Sequence, residues 1–147
     1  MENNLISESS IIIDADASKV WKAITTPRLI KKYLFGTDVK SGWTEGSPIS
    51  YEGEYEGKSY KDKGVIKKLE PEKIFQSTYW SSMGGKEDKP ENYNMVTYKL
   101  SSEGGGKTMV TLTQDNIHSE KEKEHVTENW KMTLKGLKKV VEEEDEK

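Results

Sequence analysis

The sequence predicts an α+β domain in which a curved antiparallel sheet of about six to seven strands wraps around a long C-terminal helix. Three observations predict this fold. Residues 5–27 form a β-rich run that breaks at a carboxylate and leads into two short helices. Residues 37–117 place apolar side chains at every second position, with glycines between the runs. Residues 119–141 carry apolar side chains at helical spacing behind a helix-start signal.

The opening segment predicts one strand and two short helices. The strand Leu5–Ile13 gives way to Asp16, whose carboxylate can cap a helix by accepting from amides two or three residues on. A second helix is predicted to start at Thr26–Pro27, because proline at the first helical position loses no hydrogen bond, and to stop at Gly36. The apolar residues of the two helices are Val20, Trp21, Ile24, Leu29, Ile30, Tyr33 and Leu34.

The middle of the chain predicts the rest of the sheet. Alternation such as Val96, Tyr98 and Leu100 indicates antiparallel strands with one buried face and one face in water. The Gly-, Lys- and Glu-rich stretch Ser82–Asn92 is predicted to be a mobile loop. The predicted strands are Thr37–Lys40, Pro48–Tyr55, Tyr60–Leu69, Ile74–Ser81, Tyr93–Ser101 and Thr108–Asn116.

The last element is predicted to be one long helix. Ser119 and Glu122 match a capping box, in which each side chain bonds to the other's backbone amide. Residues 142–147 form an acidic end that opposes the helix dipole, so we expect this tail to fray. The chain is predicted to be a single domain over residues 1–147. The apolar stripe of the helix is Val126, Trp130, Leu134, Leu137 and Val141.

Composition limits the classes of function. The net charge is −3, and Arg28 is the only arginine, so the chain lacks the basic field and bidentate guanidinium groups that favour nucleic-acid binding. With no cysteine there is no disulfide, thiol nucleophile or thiolate metal site. No apolar run approaches the ~20 residues of a membrane span, and residues 1–4 lack a basic or apolar leader signal. We therefore expect a soluble cytoplasmic protein.

Four segments in this order resemble a known family. They are Ile13–Ala15 with Lys19–Ala23, Thr26–Leu29 with Tyr33–Gly36, Gly64–Ile66 with Leu69–Pro71, and Gly105–Thr113 followed by Trp130. Together they resemble the START/polyketide-cyclase (SRPBCC, birch-pollen-allergen-like) superfamily, which has the helix-grip fold. Within it the chain is most similar to the C-terminal domain of activators of the heat-shock-protein-90 ATPase.

This resemblance implies more about fold than about activity. The family often has a proline near Ala17 and a Gly-Gly pair near Glu45–Gly46, and this chain has neither. The eukaryotic activators bind the chaperone through an additional N-terminal domain, which nothing before Leu5 supplies here. A chaperone partner therefore rests on analogy alone.

The space between the sheet and the last helix is the candidate site. A sheet that wraps a helix can leave a mostly apolar cavity with a few polar groups. The alternative is a solid core, which is the usual role of aromatic residues at such spacing. Tyr33 and Phe35 are predicted to gate the space. The full predicted lining is Tyr33, Phe35, Tyr51, Trp80, Val96, Tyr98, Leu112, Trp130, Leu134 and Leu137.

Other polar patterns point to surface roles. His118 and His125 are seven residues apart, whereas two histidines that share a metal on a helix are four apart. Glu52, Glu54 and Glu56 share one face of a strand beside lysines, as on a solvated outer face. We therefore assign no catalytic residue, metal ligand or cofactor.

Three functions follow, in order of preference. The first is a binding module that holds a small hydrophobic or aromatic molecule between sheet and helix. The second is an enzyme of the cyclase/aromatase or hydrolase kind, with Tyr51, Tyr98, Glu52 and the two histidines as acid–base candidates. The third is a co-chaperone of a heat-shock-protein-90 homologue, which the resemblance alone suggests.

Overall fold

The computed structural model describes residues 5–34, 36–81 and 87–143. Seven strands, three α-helices and a single 3-10 turn at Pro90–Asn92 follow one another in this part of the chain. In chain order the elements are β1 (Leu5–Ile13), α1 (Ala17–Thr25), α2 (Pro27–Tyr33), β2 (Asp38–Ser41), β3 (Pro48–Tyr55), β4 (Lys58–Glu70), β5 (Ile74–Tyr79), β6 (Asn94–Gly104), β7 (Lys107–Ile117) and α3 (Glu120–Glu143).

All seven strands form one antiparallel sheet in the order β1-β7-β6-β5-β4-β3-β2. The first strand therefore pairs with the last, and Ile13 lies opposite Thr108. The predicted fold class is confirmed: a curved antiparallel sheet accompanies a long C-terminal helix and two short helices after β1. The predicted bounds of β1 and β3 match the structure at both ends, and the ends of the other strands differ by at most three residues.

Helix α3 packs against one face of the sheet, which we call the inner face. The indole of Trp130 on α3 bonds to Gln114 on β7, and the Thr127 hydroxyl lies 2.6 Å from the Ser7 hydroxyl on β1. Leu134 and Leu137, further along α3, are almost fully buried. The predicted apolar stripe of α3 is therefore the side that covers the inner face.

The helix starts follow the predicted chemistry in part. Asp16 caps α1 by accepting from the Lys19 amide. Thr26 occupies the cap position of α2, but its side chain makes no capping bond. At α3 the Glu122 amide donates to the Ser119 hydroxyl as predicted, whereas the Glu122 carboxylate accepts from the His118 amide instead of that of Ser119.

Gly64 marks a close approach between β4 and β5. A Cβ atom at this position would lie 1.7 Å from the carbonyl oxygen of Thr78. Only glycine allows the two backbones to come this close. Gly64 thus lies where β4 changes its pairing partner from β3 to β5, and no side chain fits at this position.

The C-terminal end of α3 is tied to the other end of the chain. The Glu142 carboxylate accepts a 2.7 Å bond from the Asp14 amide and a 2.6 Å bond from Lys138. The helix continues through Glu143, so the first two residues of the expected frayed tail are helical. The remaining tail residues, 144–147, lie outside the described residues.

Candidate functional site

Aromatic side chains form a continuous chain across the inner face. Trp43 contacts Phe75 at a ring separation of 6.0 Å, Phe75 stacks on Tyr98 at 5.9 Å, and Tyr98 meets Trp130 edge-on at 6.5 Å. The chain thus runs from the loop after β2, over β5 and β6, to α3. Rings at these distances and angles are in their favourable arrangements.

A polar group interrupts this apolar face at β3, β4 and β5. The carboxylate of Asp62 is only 8% exposed and accepts a 2.6 Å hydrogen bond from the Tyr79 hydroxyl. Tyr51 lies directly across from Asp62 in the pairing of β3 with β4, and its ring meets Tyr79 edge-on at 5.7 Å. Tyr33 and Tyr98 lie near Tyr51. We call Tyr33, Tyr51, Tyr79 and Tyr98 the tyrosine cluster, in which Tyr51 and Tyr79 are the members beside Asp62.

The environment keeps these phenols protonated. Burial raises the pKa of Tyr51 to about 12, while its bond to Ser77 opposes the shift and the Asp62 charge adds to it. Burial raises the pKa of Tyr79 still further, followed by the charge of Asp62 and the hydrogen bond to it. Burial, then the nearby tyrosines, likewise raises the pKa of the other two members. At neutral pH the four phenols of the cluster are therefore uncharged.

A second polar feature lies at the other edge of the inner face. The Ser9 hydroxyl on β1 is buried and has no hydrogen-bond partner among the described residues. Its strand neighbour across the pairing is Leu112, which in turn pairs with Tyr98. Buried polar atoms without a partner are rare, because each costs about 1–3 kcal/mol. This hydroxyl is therefore buried without a hydrogen-bond partner in the part of the chain that the structure describes.

The structure brings most of the predicted lining residues together. Tyr98, Val96 and Leu112 are neighbours on the inner face, with α3 above them, and all belong to one core cluster. Tyr33 is buried on α2, with its hydroxyl bonded to the Ala23 carbonyl. Phe35, the other predicted gate residue, lies outside the described residues. The members found on the inner face or on the helices that cover it are Tyr33, Tyr51, Val96, Tyr98, Leu112, Trp130, Leu134 and Leu137.

Trp80 is placed differently, and its assignment to the lining is corrected. It forms a bridge with Lys63, on the face of β4 opposite Asp62. There the Lys63 ammonium lies 5.7 Å from its ring, Tyr93 stacks on it, and its indole donates to the Glu87 carbonyl. Trp80 follows Tyr79 directly, so the alternation of the strand turns it to the outer face.

Sequence reasoning missed several interior residues. Asp62 stands between two lysines and has the sequence context of a surface charge. The available signal was parity, since Asp62 is two and four residues from the buried Gly64 and Ile66. Phe75 and Tyr79 share a face by the same rule. Parity with Ile11 and Ile13 also places Ser9 on the buried face, but its lack of a hydrogen-bond partner among the described residues had no signal in the sequence.

The other acid–base candidates lie on the surface. His118 and His125 are exposed at the start of α3. Glu52 lies 3.9 Å from both Lys40 and Lys61, as predicted for the outer face of β3. Among residues 5–34, 36–81 and 87–143, no three His, Cys, Asp or Glu side chains are grouped so that they could hold a metal ion.

Two shallow depressions lie away from the inner face. One, of about 330 Å³, opens between β6, β7 and the turn at Pro90–Asn92, and the other, of about 440 Å³, follows the first turns of α3. None of the predicted lining residues contributes to either. Within the described part of the chain, no helix is long and apolar enough to cross a bilayer.

Solved structures share this fold over nearly the whole chain. The solution structure of ChR145 from Cytophaga hutchinsonii is 45% identical, covers 98% of both chains and has a TM-score of 0.85. The Aha1 dimer from Colwellia psychrerythraea is 22% identical with a TM-score of 0.74 and covers 95% of this chain and 97% of its own. CalU16 from Micromonospora echinospora is 21% identical with a TM-score of 0.71, and the match covers 95% of this chain and 83% of CalU16.

The family comparison agrees with the fold. No curated protein matches the chain. The family described as activator of Hsp90 ATPase homolog 1-like protein matches residues 14–142, from the end of β1 to the last turn of α3. The chain therefore belongs to the activator of Hsp90 ATPase homolog 1-like family.

Proposed function

We propose that this protein binds a small hydrophobic or aromatic molecule between the inner face of the sheet and α3. The observation that carries the proposal is the tyrosine cluster, in which four phenols and the Asp62 carboxylate lie among the apolar side chains of the core. Ligand sites in proteins have this composition, with apolar and aromatic walls and a few polar groups that fix orientation. The unsatisfied Ser9 hydroxyl adds a second polar group to the same interior.

The ligand must enter where the side chains are least buried. Val96, Tyr98 and Leu112 are at most 8% exposed and form the floor. Tyr51 and Trp130 are only half-buried, and each lies at the rim of this floor. We propose that each of these two side chains moves away from the floor on binding and exposes it. The binding free energy must then exceed the cost of displacing them from their contacts with Tyr79 and Tyr98.

The four tryptophans allow a direct test by NMR. Indole N–H signals are recorded while naphthalene or 2-naphthol, both neutral, is added to the uniformly ¹⁵N-labelled protein. The Trp130 indole, which bonds to Gln114 over the inner face, is expected to shift in a saturable way. The Trp80 indole bonds to Glu87 on the outer face and serves as an internal control that stays unchanged.

A pair of variants on α3 sharpens the result. Trp130→Leu removes the aromatic wall and, with the Leu112 backbone amide as the reporter in place of the indole, should weaken 2-naphthol binding about tenfold, a loss of roughly 1.4 kcal/mol. Met132→Leu changes a side chain that is 56% exposed on the same helix and should leave binding as it was. Shifts confined to the outer face, or no saturable shift with either probe, would rule the proposal out.

The family description favours a second candidate, regulation of a chaperone ATPase. Its test is independent of the interior. The purified chain is added to the heat-shock-protein-90 homologue of the same organism, and both binding and ATP hydrolysis are measured. A change in hydrolysis rate that saturates with added chain supports this candidate, and no binding with an unchanged rate removes it.

A further inference from the structure

We infer that the interior site selects its ligand by charge: it takes an apolar molecule that carries a hydrogen-bond donor, such as a phenol, alcohol or amine, and rejects a carboxylate on the same skeleton. This inference rests on the proposed function, because it specifies which molecules the space between sheet and α3 accepts. The determinant is the carboxylate of Asp62.

Asp62 brings a negative charge to the inner face. Its neighbours in sequence, Lys61 and Lys63, lie on the opposite face of β4, where Lys61 faces Glu52 at 3.9 Å and Lys63 pairs with Asp88 at 2.5 Å. In this part of β4 the two lysines therefore point outward and the carboxylate of Asp62 points inward. Like charges in a water-poor interior interact far more strongly than in bulk water, so an anionic ligand is disfavoured there.

The groups around Asp62 favour the opposite kind of ligand. Burial keeps the phenols of Tyr51 and Tyr79 protonated at neutral pH, so neither adds to the negative charge. The carboxylate is a stronger acceptor for a donor group than a neutral oxygen is. The aromatic rings beside Asp62, those of Tyr51 and Tyr79, can also attract an ammonium group through their π systems. A ligand that carries a hydrogen-bond donor therefore binds more tightly at this site. A cationic donor gains further affinity, because the aromatic rings attract its charge as well.

The decisive experiment compares ligands that differ only in their polar group. Naphthalene, 2-naphthol, 2-naphthylmethylamine and 2-naphthoate are titrated at pH 7 against the full chain, with the Trp130 indole signal as the reporter. We expect 2-naphthol and 2-naphthylmethylamine to bind at least about tenfold more tightly than 2-naphthoate. In Asp62→Asn the difference should fall below about threefold, because 2-naphthoate no longer meets a like charge.

A matched variant separates this effect from general electrostatics. Glu52→Gln removes the same charge from the outer face of the adjacent strand and should leave the ligand order of the wild-type protein unchanged. Equal affinity for 2-naphthoate and 2-naphthol in the wild type, or an unchanged preference in Asp62→Asn, overturns the inference while the proposed function stands. If neither naphthalene nor 2-naphthol binds, the proposed function fails, and the inference fails with it. Should Asp62→Asn not fold, the wild-type affinity order alone decides.

Discussion

The hydroxyl of Tyr79 donates a 2.6 Å hydrogen bond to Oδ2 of Asp62 inside the sheet, and Tyr93 makes the same kind of bond to Asp88 at 2.5 Å on its exposed side. The two pairs have the same chemistry and nearly the same length. They differ in burial, since Asp62 is 8% exposed whereas Asp88 is exposed, and Asp88 is in addition paired with Lys63. The molecule therefore contains a natural comparison of one hydrogen bond in two environments.

Removing the hydroxyl from the buried pair should be the costlier change. Tyr79→Phe leaves a buried carboxylate oxygen without its donor, and we expect a loss of about 1–3 kcal/mol in the free energy of unfolding. Tyr93→Phe leaves an oxygen that water reaches, so its effect should be much smaller. Urea unfolding of both variants at pH 7 measures the difference, and equal losses would show that burial of the Asp62 pair has no energetic weight.

The buried phenols predict a loss of stability in alkaline solution. Because folding raises the pKa of Tyr51 from 10 to about 12, the unfolded chain releases this proton first. The stabilising contribution is complete below pH 10 and is lost as the pH rises towards 12. Tyr33, Tyr79 and Tyr98 shift in the same direction and add to the loss.

Unfolding free energies measured between pH 9 and pH 12 test this dependence. The decline should be less steep in Tyr51→Phe, which has one fewer group to titrate. Tyrosine absorbance at 295 nm, recorded in parallel, should show a fraction of the seven tyrosines that ionises only as the protein unfolds. A stability that stays constant from pH 9 to pH 12 contradicts the burial of these hydroxyls.

Gly64 should tolerate no side chain. In Gly64→Ala the new Cβ would lie 1.7 Å from the Thr78 carbonyl oxygen, so β4 and β5 would have to separate. We expect a destabilisation of more than about 3 kcal/mol, seen as a large drop in Tm. Gly42→Ala is the control, because its Cβ would lie 3.4 Å from the Ser47 Cβ, an ordinary contact. Similar melting temperatures for the two variants would contradict the close approach.

The two sides of α3 should respond differently to truncation. Leu134→Ala empties a position that is 1% exposed and should cost about 2–5 kcal/mol. Met132→Ala, at a side chain that is 56% exposed, should stay within about 0.5 kcal/mol of the parent. Guanidinium unfolding of both variants decides, and a large loss for Met132→Ala would mean that another surface covers it.

The fold was predictable because its signals were local and repeated. Apolar and polar side chains alternate along the strands of residues 37–117. Asp16 and Ser119 cap their helices, and the apolar stripe of α3 is continuous. The face of β5 was harder to assign, because Ile74, Phe75, Tyr79 and Trp80 put bulky side chains on both faces. The alternation along β5 predicts which of its residues share a face, but it does not predict which of the two faces contacts α3.

The candidate site needed the pairing of distant strands. Tyr51, Asp62 and Tyr79 come from three strands. Tyr51 was predicted to line the interior, but Asp62 stands between two lysines and Tyr79 stands beside a second bulky aromatic residue, Trp80. Only the register of β3 with β4, and of β4 with β5, brings the three together. A single sequence carries no record of such register, so the cluster could not be predicted from the residues one strand at a time.

The pairing of β1 with β7 also sets when the protein can fold. The Asp14 amide reaches Glu142 across 128 positions of the chain, and the Thr108 hydroxyl reaches Ala15 across 93. At a synthesis rate of about 5–20 residues per second, β1 waits roughly 6 to 25 s for its partners to leave the ribosome. Until then Ile11 and Ile13 lack the strand and helix that bury them, and the nascent chain relies on its many charged residues to stay apart from its neighbours.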